Sequence, residues 1–269
     1  MPKLHMLKSV TDTINTSLIF ESESSLIVFD GGFACETEYL HEYLLRLGGR
    51  VDAWFLTHAH KDHVDACHAI LANYGDITVD KLCYNFPEDG WLATNDPGGE
   101  GVEIACRLRQ ICAQKQISAE TVQVGDRYAF DGFSVRVLRT PDEAITANPI
   151  NNSSVVYRVE TDRTSVMILG DLGVEGGRQL LDTVSPDLIR ADYCQMAHHG
   201  QDGVDRSVYE AIRPRFCLWC APTWVWDNLG PGGYDTGRLK TVIVRGWISE
   251  LHCTERHYRM IDGTSVIEL

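Results

Sequence analysis

One stretch constrains this chain more than any other: Thr57-His58-Ala59-His60-Lys61-Asp62-His63. It places three imidazoles and a carboxylate within six residues. Val51-Asp52-Ala53-Trp54-Phe55-Leu56, just before it, reads as a short buried strand. Val64 to Tyr74, just after it, reads as a helix whose apolar side carries Val64, Cys67, Ile70 and Leu71. The ligand-type residues therefore sit on a strand-to-helix turn, where side chains can fan out around one point. Neutral imidazoles with carboxylates suit zinc, iron or manganese, and no cysteine in the cluster pulls the choice toward softer metals. With His68 on the following helix, four of the chain's ten histidines fall in this region, which a merely polar loop would have to explain away.

At these residues a family comes into view. His58-x-His60-x-Asp62-His63 resembles the signature of the metallo-β-lactamase superfamily. The resemblance implies an α/β fold, a four-layer αββα sandwich, with a dinuclear metal site at one edge. It implies that His58 and His60 serve one metal, while Asp62 and His63 serve the other. Met167-Ile168-Leu169-Gly170-Asp171 resembles the superfamily's fourth motif, an apolar strand ending in an aspartate that bridges both metals. Asp192 to Gly200 reads as a strand ending in His198-His199-Gly200, where the family carries its last ligand. His198 is the expected ligand of the second metal and His199 its substrate-facing or proton-donating neighbour. Adjacent strand residues point to opposite sides, so the reverse assignment stays open.

The third motif departs from the family. Members often carry Thr-Pro-Gly-His shortly before a Ser-Val-Val strand, and that histidine completes the first metal. Here Thr140-Pro141 runs into Asp142-Glu143, Ser154-Val155-Val156 follows Asn151-Asn152-Ser153, and no histidine lies between His68 and His198. Glu143, Asn151 and Asn152 are the candidates for the vacant role, with turn chemistry the competing reading of the asparagines. The asparagine-rich form with His-His-Gly is most similar to the branch holding the nuclease-like domain of bacterial DNA-uptake proteins and phosphorylcholine esterases.

The expected activity is thus metal-dependent hydrolysis by a metal-activated hydroxide, with Asp62 orienting the nucleophile and a phosphodiester as substrate. Carboxyl ester, lactone or thioester hydrolysis is the alternative, as is a degenerate, non-catalytic metal-binding member. A diiron redox role normally needs an attached flavin module, for which the chain has no room. One or two divalent ions are expected, zinc first, with manganese or iron as substitutes. The net charge of −14, from 38 acidic and 24 basic residues, argues against long nucleic acid, because no surplus of cations exists to neutralise phosphates. A small-molecule substrate fits better.

The remaining readings concern organisation. A length of 269 residues with 44% hydrophobic residues supports a single domain over 1–269 with a sizeable core. No apolar run approaches a membrane span, and polar residues interrupt any export signal near the start. With nine scattered cysteines, a cytoplasmic setting with reduced thiols is expected. Cys217-Leu218-Trp219-Cys220 lacks a second pair and reads as core. Hairpins are expected over 14–30, 128–138 and 154–169. Asp30-Gly31-Gly32 ends the first, with Asp30 a candidate support beneath the site. Further helices are expected over 37–47, 102–114 and 239–248. Residues 87–101 read as an exposed loop carrying Trp91, and 224–226 as an aromatic loop. His41 is expected to face solvent, and His252 and His257 to be structural.

Overall fold

The computed structural model describes residues 1–269. Two seven-stranded sheets form its centre. The first runs in the order Ser265–Glu268, Lys3–Met6, Ser17–Glu21, Leu26–Asp30, Ala53–Phe55, Leu82–Tyr84, Ala119–Thr121. The second runs Arg256–Arg259, Phe216–Trp219, Tyr193–Gln195, Ser165–Ile168, Val156–Glu160, Phe133–Arg139, Arg127–Phe130. Each sheet is antiparallel on one side and parallel on the other. The strands next to the site are buried on both faces, which is why they read as continuous apolar runs.

Strand alternation divides that apolar content between layers. On Leu26–Asp30, Ile27 and Phe29 face the opposite sheet, while Leu26 and Val28 face helices. The inter-sheet core joins Phe20, Phe29 and Phe55 from one sheet with Val135, Tyr157 and Ile168 from the other. Helices Thr37–Arg46, Lys61–Asn73 and Glu100–Lys115 cover the outside of the first sheet. Helices Val174–Thr183, Arg206–Ile212 and Thr241–Glu250 cover the second. The result is the four-layer αββα sandwich expected from the sequence. No helix is long and apolar enough to cross a membrane.

Several expectations change. Residues 87–101 are not one loop: Asp89–Asn95 is helical, because Leu92 is fully buried against Gly101 and Ile150. The Trp224 segment is a helical turn, Thr223–Trp226, with Trp226 edge-on to the buried Trp219 at 5.1 Å. His41 is largely covered, bonded to Asp76 at 2.8 Å and packed against the Tyr74 ring. Strand Lys3–Met6 and the edge strand Ser265–Glu268, which pair with each other, escaped the sequence reading altogether.

Everything that positions the site lies at the carboxyl ends of parallel strands, the usual place for a ligand in such sheets. Tyr157 ties the sheets together there, its hydroxyl donating to the Leu56 carbonyl at 2.9 Å. Val155 N–H donates to the Thr57 carbonyl at 2.8 Å.

Candidate metal centre

The loop leaves the first sheet after Phe55 and Leu56, and Asp30, at the end of the neighbouring strand, catches it. The Asp30 carboxylate is fully buried and accepts from Thr57 N–H and from Thr57 Oγ1, both at 2.8 Å. It also accepts from His63 Nδ1 at 2.7 Å. Helix Lys61–Asn73 begins inside the motif, so Asp62 and His63 occupy its first turn. Their side chains swing back over the loop, bringing the His58 and His63 rings to 4.2 Å between centroids.

These bonds also fix where the ring protons lie. His63 donates from Nδ1 to Asp30 and turns Nε2 into the site, where a bound metal would take the place of its second proton. Because the Thr57 hydroxyl donates to Asp30, its oxygen accepts from His58 Nδ1 at 3.0 Å, which frees His58 Nε2 likewise. His199 Nδ1 donates to the Cys220 carbonyl at 2.8 Å and turns Nε2 into the site, where it meets Asp62 Oδ2 at 3.0 Å. A bonded far nitrogen that orients the ring and raises its basicity is the usual support for an imidazole ligand.

Asp171 enters from the second sheet. Gly170 has φ +57°, and a Cβ there would lie 2.8 Å from Thr57 Cβ, so only glycine lets the two loops touch. Asp171 N–H donates to Ser154 Oγ at 3.0 Å. Gln195, fully buried, accepts from Leu169 N–H at 2.9 Å and donates to the carbonyls of Gly170 and Met196. It thereby braces both strand ends that carry Asp171 and His198-His199.

The side chains converge as two groups that share Asp171: Asp62, His63, Asp171 and His199, all buried, and His58, His60 and Asp171. In the first group His199 Nε2 is 3.0 Å from Asp62 Oδ2 and 3.5 Å from Asp171 Oδ2. His63 Nε2 is 3.1 Å from Asp171 Oδ1, yet both atoms are buried and neither makes a hydrogen bond. They are close without meeting in hydrogen-bond geometry. Such a pair is open to a cation, and nitrogen with carboxylate oxygen suits a divalent metal.

Charge tells the same story. Burial alone would lower the His63 and His199 imidazoles, but facing carboxylates overcome it. Asp171, Asp30 and Asp62 hold His63 well above its ordinary range. Asp171 and Asp62 raise His199 to about 9. Burial would raise Asp171, but His63, His199 and His198 hold it well below the usual carboxylate range. Burial, reinforced by His63, pushes His58 well below. Protons on the deep imidazoles balance carboxylates that a cation would otherwise balance.

The remaining expected residues fall out as follows. The structure draws His199, rather than His198, into the deep group. His199 has no exposed face and both ring nitrogens are engaged, so it has no access to substrate. His198 is the accessible member of the pair, its Nε2 3.8 Å from Asp171 Oδ2. Glu143 is exposed and accepts from Glu88 N–H, away from the cluster. Asn152 is occupied with Ala147, Glu175 and Gly176. Asn151 is buried with Oδ1 unpartnered and bonds to none of the clustered residues. His68 is buried without a hydrogen bond, its Nδ1 3.8 Å from Asp65, and lies outside both groups. Thr57, Gln195 and the Cys220 carbonyl escaped the sequence reading. Of these only Thr57, adjacent to His58, sat where a signal could be sought.

Residues 10–76 match the family model of the metallo-beta-lactamase superfamily. That segment carries the His58-to-His63 motif, and there the chain resembles the metallo-β-lactamase superfamily. The chain is similar to ComE operon protein 3 of Bacillus subtilis, 28% identical over 158 residues. The match takes in 57% of this chain but 18% of that protein's length. Two solved structures share the fold over this whole chain. Igni18, a metallo hydrolase from Ignicoccus hospitalis, superposes with a TM-score of 0.57 at 14% identity over 99% of its chain. CmlA, a diiron β-hydroxylase from Streptomyces venezuelae, superposes at 0.62 and 12% identity over 54% of its chain. Hydrolysis and hydroxylation both occur on this superfamily fold, so the fold alone does not choose the reaction.

Proposed function

We propose that this protein is a metal-dependent hydrolase of small phosphodiesters, with residues 1–269 acting as one domain. The observation that carries the reading is the facing, unbonded pair of His63 Nε2 and Asp171 Oδ1 inside a buried His/Asp cluster. Asp62, His63 and His199 would hold one divalent ion, zinc first and manganese or iron as substitutes. His58 and His60 would hold a second, and Asp171, present in both groups, would be shared. Bound metal supplies a water that ionises near neutral pH and polarises the bond to be cut.

The protein's own residues do the rest. Asp30 and the Cys220 carbonyl hold the imidazoles with Nε2 turned inward. Asp62 is 7% exposed and bonds His199 through Oδ2, so its other oxygen is placed to orient the attacking nucleophile. The charge of −14 disfavours long polyanions and leaves small diesters. All nine cysteines are unpaired, which supports a reducing, cytoplasmic setting.

The test is a hydrolysis screen with added Zn²⁺, Mn²⁺ or Fe²⁺ on bis-nitrophenyl phosphate, nitrophenyl phosphorylcholine, short DNA and simple lactones. Metal-dependent turnover of the two small diesters, lost on chelation, is expected. Turnover confined to lactones would transfer the protein to carboxyl ester chemistry. A metal-loaded protein inert on every substrate would be a non-catalytic member.

A further inference from the structure

The two metal positions are unequally supplied. The deep one has His63, His199, Asp62 and Asp171. The outer one has His58, His60 and a share of Asp171, without the histidine that Thr-Pro-Gly-His provides elsewhere in the superfamily. Glu143 and Asn152 are engaged elsewhere, and Asn151 bonds to no member of the outer group.

We propose that His198 supplies the missing nitrogen, so that two adjacent histidines on one turn serve two different metals. The inference rests on the metal centre proposed above. Asp171 Oδ2 is the point of reference: it stands 3.8 Å from His58 Nε2 and 3.8 Å from His198 Nε2. Donor atoms bound at about 2.0–2.1 Å around one near-tetrahedral ion lie roughly 3.3–3.5 Å apart. Each ring is thus within a few tenths of an ångström of that spacing from one shared oxygen, while His198 stands outside the cluster of His58, His60 and Asp171, so loading the outer position requires its ring to turn in. His199 Nε2 is 3.5 Å from the same oxygen but closer still to Asp62, at 3.0 Å, which places it with the deep group.

The backbone makes this double use possible. In a regular strand one of two neighbours would point away from the site. Here His198 and His199 both adopt left-handed conformations, with φ 51° and 56°, and both rings reach Asp171. Consecutive left-handed L-residues cost roughly 1–2 kcal/mol each, so a turn of this kind is retained against its own preference. Gly200 permits it: a Cβ there would lie 2.3 Å from the Trp219 ring. Nothing else claims the His198 ring. Its Nδ1 is buried without a partner, and Asp171 is the one carboxylate within ion-pair distance of it.

The experiment is calorimetric titration of Zn²⁺ into chelator-stripped protein, alongside Co²⁺ absorption spectra. His198→Asn is the first variant, because asparagine tolerates the left-handed backbone. The wild type should take up two equivalents in two steps. His198→Asn should keep the tighter step within about twofold and weaken the second by roughly 10- to 100-fold or more, a ligand being worth at least as much as its supports. With cobalt, His198→Cys should show a thiolate-to-metal charge-transfer band that appears only with the second equivalent, since a cysteine sulfur can replace the imidazole. That band decides the matter even where the asparagine variant folds poorly. A normal second step in His198→Asn, or no such band at two equivalents, would overturn the assignment and return His198 to the substrate. A wild type that accepts one equivalent at any excess would overturn it as well. Two steps altered as expected, with no substrate hydrolysed, would instead strike the proposed activity and leave His198 as a ligand.

Discussion

The deep and outer halves of the proposed metal centre differ less in ligand type than in how the candidate ligands are held. In the deep half both imidazoles are pinned from behind, His63 by Asp30 and His199 by the Cys220 carbonyl, and both are fully buried. In the outer half His58 is pinned through Thr57, but His60 has only the His58 ring at 3.0 Å and His198 has no partner for Nδ1. A ring already oriented loses little freedom on binding, whereas a loose ring must be ordered by the metal itself. Stepwise loading follows, with the deep position filled first.

The largest test removes what the halves share. Asp171→Ala takes a carboxylate from both positions and leaves buried imidazoles facing one another. Metal content should fall below one equivalent by atomic spectroscopy. Hydrolysis should fall by about three orders of magnitude or more, the scale of losing a principal electrostatic element. Retention of one tight equivalent would show that the deep half stands without the shared aspartate.

Asp30→Asn attacks the support instead of the ligands. The new amide would set a donor against either His63 Nδ1–H or the Thr57 donors, and buried donors facing donors are costly. Breaking a buried pair of this kind costs about 3–5 kcal/mol, so a clear drop in Tm is expected. Affinity at the deep position should weaken roughly 10- to 100-fold. The outer position, reached through Thr57 and His58, should weaken less. An equal loss at both would mean that Asp30 supports the two halves alike.

pH separates the halves more gently. In metal-free protein His199 titrates at about 9, raised from its ordinary 6.5 by Asp171 and Asp62 against the opposing effect of burial. Binding at the deep position must displace that proton. Its affinity should therefore rise about tenfold per pH unit between 7 and 9 for this one proton, then level off. His58 is already neutral in that range, so the outer position should change less. The sign reverses for stability. A histidine raised in the folded state contributes fully below 6.5 and loses that contribution as pH rises through about 9. Stripped protein should lose Tm across this window, and metal-loaded protein should not. A flat affinity from pH 7 to 9 would mean that His199 carries no proton to displace.

What the sequence made legible follows the same division. His58, His60, Asp62 and His63 are legible because one turn carries them, and local spacing is visible in a string of letters. Asp171 is legible because a buried strand ends in Gly-Asp. The order of His198 and His199 was not, since strand alternation predicts opposite faces and two left-handed residues cancel it. The anchoring of His199 was invisible too, because a backbone carbonyl 21 residues away carries no side-chain signal. The layered fold was implied by the family resemblance, with apolar strands and helix periodicity in keeping with it, but the pairing of the first strand with the last was not legible, for no local pattern links residues so far apart.

The smallest expected effect bears on the position that sequence alignment offered first. Glu143 aligns with the absent third-motif histidine when counted from Thr140-Pro141. Its carboxylate instead accepts from Glu88 N–H at 3.0 Å, and its carbonyl accepts from Trp91 Nε1 at 2.8 Å, in an exposed loop. Replacing the carboxylate removes one solvent-accessible hydrogen bond, worth roughly 0.5–1.5 kcal/mol. Glu143→Ala should lower Tm slightly and leave both metal-binding steps within about twofold of wild type, the scale of a surface change away from the site. The carbonyl bond to Trp91 is retained, so its indole fluorescence should hardly move. A second step weakened as much as in His198→Asn would show that the 87–95 segment closes over the outer metal and brings Glu143 with it. The outer half would then be completed by a moving loop, and the contrast between a pinned half and a loose one would become a contrast between a fixed site and a closing one.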